Sequence, residues 1–318
     1  MSRFSQNQDF DENPGSAIAT QSRHTPVLLN EVLQILDPQP GQKFIDGTIN
    51  GGGHGLAILE KIQPGGKLLG IEWDQTLIEN LKLKIENLAG ITLVNDSYAN
   101  LQTIAETNDF MGANGILLDL GFSSWHLEQS GKGFTFQKDE ILDMRYGPDG
   151  ETAADVLNKY PKEEIKRILR EYGEESFSRQ ITEAIIAARR QSPIIRTFQL
   201  AEVVKSAVPA WYRAGVRRNA ATKTFQALRL AVNHELENLE TGLLQALAVL
   251  GPGGRLAVIT FHSLEDRIVK TRFRGLDRTA FQLLTKHPIR PEYEETKQNP
   301  RARSAKLRVI QKLNPTNS

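Results

Sequence analysis

Asp46, the glycines at 51, 52 and 53, His54, Glu72 and Asp119 are residues whose types and spacing can do chemistry. The run from Phe44 to Gly55 (Phe-Ile-Asp-Gly-Thr-Ile-Asn-Gly-Gly-Gly-His-Gly) reads as a short buried strand over 43–45 and a tight glycine turn, with an amphipathic helix following over 56–62. A strand that passes through glycines into a helix start is a usual place to hold a nucleotide-like ligand. Glycines admit close backbone approach, and the first N–H groups of a helix lack partners. A plain structural turn is the weaker alternative, because three glycines in one loop lose much conformational freedom on folding. The dinucleotide fingerprint G-x-G-x-x-G is broken, since Gly51 and Gly53 would need a glycine where Leu56 stands. Asp46 ends the first strand instead, and a second strand, 67–71, ends in Glu72-Trp73-Asp74. A carboxylate at the second strand's tip can accept from both ribose hydroxyls of a nucleoside, while Asp46 and the turn beginning at Gly51 can meet an amino-acid end. S-adenosyl-L-methionine fits that pattern better than a dinucleotide.

The elements that must position these groups alternate. A helix is expected over 28–36, then the strand and helix above, a helix over 75–88, a strand over 91–94, a helix near Leu101 and a fourth strand, 115–118, ending at Asp119. Such alternation predicts a parallel sheet covered on both faces, with ligands at the carboxyl ends of its strands. Asp46, Glu72, Asp96 and Asp119 all fall at such ends. From 128 to 223 the apolar residues recur at helical spacing with no strand pattern, which predicts an all-helical insertion. The α/β order resumes with a long helix over 224–250, a strand over 255–260, a helix over 264–273, a polar loop over 274–304 and a final edge strand over 305–313. The expected division is a disordered tail at 1–23, a first methyltransferase part at 24–127, the insertion at 128–223 and a second part at 224–318 with a basic end.

Composition narrows the chemistry. No apolar run approaches the roughly 20 residues needed to cross a bilayer, which predicts a cytoplasmic protein without a membrane span. Cysteine is absent, so disulfides, thiolate metal sites and thiolate attack on a pyrimidine ring are excluded; no cluster of other metal ligands stands out. The net charge of +1 is unevenly spread: −8 over 1–125, +4 over 126–230, −3 over 231–265 and +8 over 266–318. Basic segments outside an acidic cofactor half suit a polyanionic substrate such as nucleic acid.

Longer motifs carry a resemblance. They are His24-Thr25-Pro26-Val27-Leu28-Leu29, Asp46-Gly47-Thr48 with Gly51-Gly52-Gly53-His54, Leu117 to Ser124, and Gly133-Phe134 with Asp143-Met144-Arg145. Further on come Thr224 to Arg229, Phe261 to Arg267 and Asn299 to Ser304. Together they resemble the bacterial ribosomal RNA small-subunit methyltransferase H family, also called MraW, over residues 24 to about 310. The resemblance implies a Rossmann-like methyltransferase sheet with an inserted helical domain for substrate recognition. It also implies transfer of a methyl group from S-adenosyl-L-methionine to the exocyclic N(4) of one cytosine in the decoding region of 16S rRNA, within the small ribosomal subunit. Carried over by position, it implies cofactor contacts at Gly52, Gly53, His54, Glu72, Tyr98, Asp119 and His126. Glu72 stands where Asp is common in the family, Tyr98 where Phe is common and His126 where Gln is common. A single acceptor nitrogen on His126 does not reproduce the paired contacts of an amide.

Several of these residues keep a second reading. Asp74 is expected to cap the helix that begins at Gln75. Asp96 either caps a turn or receives an adenine amino group, and Tyr98 is either core or adenine wall. For the chemistry, the candidates are Asp119 as acceptor for the amine N–H groups, Phe122 as a stacking partner or core residue, and His262 as proton acceptor, RNA contact or structural histidine. Arg213, Arg217, Arg218, Lys223, Arg301 and Arg303 are expected to meet RNA phosphates, with solvated surface charge as the alternative. Pairing as a homodimer is left open by the sequence.

Overall fold

The structure, a computed structural model, describes residues 26–86, 88–121, 123–215 and 220–315. The expected N-terminal tail, the His24-Thr25 start of the first motif, Phe122, Arg217 and Arg218 lie outside the described residues.

The first part of the chain forms α1 (Leu29–Leu36), β1 (Lys43–Asp46), α2 (Gly53–Ile62), β2 (Lys67–Glu72), α3 (Gln75–Lys84), β3 (Ile91–Asn95), α4 (Leu101–Thr107) and β4 (Ala113–Asp119). A helical stretch follows: α5 (Ser124–Glu128), α6 (Ala153–Lys159), α7 (Lys162–Glu171), α8 (Ser178–Gln191), α9 (Thr197–Ala207), α10 (Ala210–Gly215) and α11 (Thr222–Val232). The chain then returns to the sheet through α12 (Glu235–Val249), β5 (Leu250–Thr260), α13 (Ser263–Arg274), β6 (Phe281–Leu283), α14 (Tyr293–Gln298) and β7 (Lys306–Lys312). One seven-stranded sheet results, in the order β3-β2-β1-β4-β5-β7-β6. The first five strands of that order run parallel, and β7 is antiparallel to both β5 and β6.

Strands buried on both faces read as continuous apolar runs, and their period of two decides which core each residue joins. Ile45, Leu69, Ile116, Leu118 and Val258 share one core with residues of α4, α12 and α13. Phe44, Leu68, Leu117, Ala257 and Ile259 share the other with residues of α1 and α2. The helical stretch has its own core, built from α6 to α9 and α11. Among the described residues from 128 to 223 there is no strand, only an isolated bridge between Ile141 and Arg196.

Four expectations about the elements change. The single helix over 224–250 is two helices, broken where Asn233 ends α11 and His234 takes a left-handed φ of 48°. The break lets each half join a different core: Phe225, Ala227 and Leu228 pack among the helical residues, whereas Leu239 and Leu243 pack on the sheet. That packing favours ending the helical unit near Asn233 rather than at 223. The polar 274–304 stretch is more than a loop, since it carries β6 and α14. Because Leu283 pairs with Ile310, β7 is an inner strand and β6 the edge. The third helix also stops at Lys84, short of 88. No helix among the described residues is long and apolar enough to cross a membrane.

Candidate active site

Strand register builds the site. Asp46 pairs with Gly70 on one side and Leu117 on the other, so β2 and β4 run two residues past β1, to Glu72 and Asp119. The chain leaving β1 fills the step. Gly47 N–H donates to Leu117 O at 2.9 Å and Ile49 N–H to Ile71 O at 3.0 Å. The Asp119 N–H donates to Thr48 Oγ1 at 2.6 Å. Here the strand order reverses, with β2 and β3 to one side of β1 and β4 and β5 to the other, and open α/β sheets bind ligands at such a crevice. A cleft of about 550 Å³, counting its open mouth, lies over these tips. Glu72, Asp96, Tyr98 and His126 from the sequence reading line it, together with Tyr146 and Glu235.

The glycine turn contributes Gly47, Thr48 and Asn50 to the lining, while Gly51, Gly52 and Gly53 stand outside it. Gly52 caps α2 at φ 87°, a left-handed conformation that favours glycine. A Cβ on Gly53 would meet Pro26 Cγ at 2.5 Å, so that glycine answers to packing. His54 faces the interior. It is buried, its Nε2 lies 2.9 Å from Val27 O, and its Nδ1 lies 3.5 Å from Asp119 Oδ2.

Burial dominates the strand-tip carboxyls. It pushes Asp46 up to about 7, against hydrogen bonds from the Thr48 N–H, the Thr48 hydroxyl and the Gly55 N–H. It does the same to Glu72, at about 7, although Glu72 accepts from Asp74 N–H at 2.9 Å and Asn50 N–H at 3.0 Å. Asp119 is raised well above the usual carboxylate range by burial and then by the Asp46 and Glu265 charges, and its buried Oδ1 has no hydrogen-bond partner among the described residues. Asp74 goes the other way. Burial would raise it, but the His126 imidazole and the Lys132 ammonium, whose Nζ is 2.9 Å away, outweigh burial and hold it at about 2. Its Oδ1 caps α3 by accepting from Thr76 and Leu77, as the sequence led one to expect.

His126 Nδ1 accepts from Ser123 N–H at 3.2 Å, which leaves the proton on Nε2. That nitrogen is buried with no hydrogen-bond partner among the described residues, 3.6 Å from Asp74 Oδ2, on a ring edge-on to the stacked Phe134 and Tyr146. Tyr98 lines the cleft and also packs where a Cβ on Gly242 would meet its Cδ2 at 2.5 Å, so it belongs in part to the core. Asp96 accepts from Ser97 N–H at 2.6 Å, as a turn cap would, and lines the cleft. His262 stands apart from the lining. It is the N-cap of α13, with Nδ1 accepting from Glu265 N–H at 3.3 Å and Nε2 beside Glu265 Oε1 at 3.1 Å, which favours its structural reading over proton transfer.

The basic candidates are scattered. Arg213 and Arg303 are exposed, Lys223 Nζ donates to Glu174 O at 2.8 Å, and Arg301 reaches Glu128 Oε1 at 2.9 Å. Sequence reading missed a buried bidentate pair under the cleft, Arg229 with Glu235 at 2.8 and 3.0 Å, to which the Tyr146 hydroxyl also donates at 3.2 Å. Asn233, at the helix break, completes it by accepting from Tyr146 N–H and donating to Met144 O. Asn233-His234 was the available signal, since asparagine is a frequent helix terminator.

These shifts predict an unusual stability profile for the ligand-free protein. Asp46 and Glu72 titrate near 7 in the fold, above their unfolded values, so their contribution is full below about pH 4 and is lost as pH rises toward 7. Asp74, at about 2 in the fold, contributes above about pH 4 and is lost as pH falls through 2. Urea midpoints should therefore peak near pH 4–5 and decline toward pH 8. A flat profile would mean that the strand-tip carboxyls are solvated.

The sequence profile of the MraW methylase family matches residues 21–313. A ribosomal RNA small subunit methyltransferase H from Heliobacterium mobile is 45% identical over 309 residues, covering 91% of this chain and 99% of its own. One of the same name from Pelobacter propionicus is 42% identical over 315 residues, covering 92% and 99%. A solved rRNA methylase from Streptococcus thermophilus, with 10% identity and a TM-score of 0.42, covers 88% of this chain and 92% of its own and is too distant to bear on the site. Given a profile match over nearly the whole sequence and relatives of almost equal length, the chain belongs to the MraW methylase family.

Proposed function

We propose that this protein is an S-adenosyl-L-methionine-dependent rRNA methyltransferase that modifies the exocyclic N(4) of a cytosine in the 16S rRNA of the small ribosomal subunit. The observation that carries the methyl-transfer reading is the acidic cleft over the strand tips in a chain 45% identical to a ribosomal RNA small subunit methyltransferase H. The residues fit a cationic donor. Glu72, Asp96 and Glu235 line the cleft, and a positive ligand favours the ionised form of Glu72, which burial otherwise pushes up to about 7. Glu72 keeps acceptor capacity for ribose hydroxyls beyond its backbone partners, and Asp96 and Tyr98, which also line the cleft, are the candidates to meet the base.

The donor supplies an already activated methyl group, so the protein's task is mainly to hold the amine in line, an effect reaching roughly 7–11 kcal/mol in favourable cases. Cytosine's amine is conjugated with its ring and a poor nucleophile. Asp119, near the cleft wall at Gly121, offers an oxygen with no partner among the described residues as acceptor for its N–H, where charge develops. Phe122, next in the chain, is the candidate to stack on a base that must first leave its helix. Exposed Arg213 and Arg303 are the better placed of the described basic candidates for phosphate, because Lys223 and Arg301 already have partners on the protein.

The test incubates the protein with labelled donor and small subunits lacking the modification, then digests the RNA for nucleoside mass spectrometry. N(4)-methylcytidine is expected. A 2′-O-methylated nucleoside would overturn the position of transfer, and absence of label in the RNA would overturn the substrate.

A further inference from the structure

We propose that His54 and Asp119 share a single proton in the resting site and take up a second during methyl transfer, which makes His54 a positioning residue acting through Asp119. The inference rests on the amine-methylation reading above, and it concerns which group ends with the proton that the amine must lose.

Hydrogen-bond logic fixes one nitrogen. Val27 O can only accept, so His54 Nε2, 2.9 Å away, carries a hydrogen. Nδ1 is then either a bare acceptor or the second N–H of an imidazolium. It faces Asp119 Oδ2 at 3.5 Å, the outer edge of hydrogen-bond reach, and catalytic contacts of this kind tighten when substrate arrives. Two lone pairs facing each other in a buried site repel, so one proton lies between them, on the acid or on the ring.

The frame leaves little freedom. His54 sits in the first turn of α2 and is buried, Leu28 beyond its carbonyl partner is buried in a left-handed conformation, and Asp119 N–H is held by Thr48 Oγ1 at 2.6 Å. Asp119 Oδ1 has no partner among the described residues and is the outer end of the pair. The charged groups acting on Asp119 are Asp46 from β1 and Glu265 from α13.

The proton count then closes. The amine nitrogen forms the C–N bond as the S–C bond breaks, with that electron pair passing to sulfur and the positive charge to the amine. An amine proton moves to Asp119 Oδ1. If Oδ2 held the first proton, it passes to Nδ1; if Nδ1 already held it, nothing further moves. Either route ends with a neutral Asp119 acid and a His54 imidazolium. The positive charge lost from sulfur reappears on the ring that faces Asp119, on which the Asp46 and Glu265 carboxyls act, and the proton later leaves to solvent.

Two measurements test this. In ligand-free protein labelled with ¹⁵N-histidine, His54 should show a protonated Nε2 and an Nδ1 shift intermediate between bare and protonated, and Asp119→Asn should move Nδ1 toward the bare value. The opposite tautomer, or an Nδ1 indifferent to Asp119, would overturn the proposal. In turnover, His54→Gln keeps an amide donor for Val27 O but no basic nitrogen. Its kcat should fall on the order of 100-fold with donor KM retained, and the acidic limb of the wild-type pH profile should shift, because Asp119 alone then titrates in place of the pair. A variant with wild-type kcat and profile refutes the role. If wild-type protein transfers no label to the RNA, the function reading fails instead, while the nitrogen shifts still decide whether the proton is shared.

Discussion

Replacing Arg229 by methionine should destabilise the fold by about 3–5 kcal/mol, the range expected when one partner of a buried ion pair is removed. Arg229 and Glu235 are almost fully buried, and their two contacts at 2.8 and 3.0 Å leave the carboxylate no comparable cation if the guanidinium goes. The Tyr146 hydroxyl remains at 3.2 Å, which softens the loss without neutralising the charge. Burial without a counter-charge disfavours the ionised form of a carboxyl. The deficit should therefore shrink as pH falls, because a protonated carboxyl tolerates the site. A double variant, Arg229→Met with Glu235→Gln, should regain much of the loss, since replacing both partners removes the uncompensated charge. Urea unfolding at constant m-value reads all three effects. A single-variant loss under about 1 kcal/mol would show that water reaches the pair, as at exposed ion pairs.

The same pair shows where sequence stops being legible. Asp46, Glu72 and Asp119 could be placed at one sheet edge because buried parallel strands are unbroken apolar runs that end abruptly in a polar residue. Register then needs only the strand count. Arg229 and Glu235 look like one turn and a half of a continuous helix, because apolar residues keep helical spacing on both sides of Asn233. Only the tertiary requirement that α11 pack on the helical core and α12 on the sheet turns that run into two helices. Lys132 and Asp74 meet across 58 positions, and no local pattern encodes such a contact. His54 was legible as a residue near a helix start but not as an inward one, since a first-turn side chain can face either way. Three residues of β6 in a polar stretch are too short for alternation to register.

Asp119→Asn should move activity and stability in opposite directions, and that pairing distinguishes a working acid from a structural one. Asparagine keeps the shape and one acceptor oxygen but cannot take a proton. Turnover should fall on the order of 10²–10³-fold, the range seen when a group aimed at developing charge is lost. Donor affinity, measured by calorimetry, should change far less if Asp119 faces the amine, and should collapse with turnover if its task is to hold the donor. Stability should rise. Asp119 is buried near Asp46 and Glu265 with Oδ1 unpartnered, so ionising it in the fold is unfavourable. A carboxyl raised in this way contributes fully only below its unfolded value, near pH 4, and penalises the fold increasingly above it. The variant's gain should therefore vanish near pH 4 and grow toward pH 8. Function-bearing groups held against their own preference are where activity and stability trade against each other. Unchanged turnover would remove Asp119 from the reacting centre, and a loss of stability at pH 8 would show that its carboxylate is satisfied in the fold.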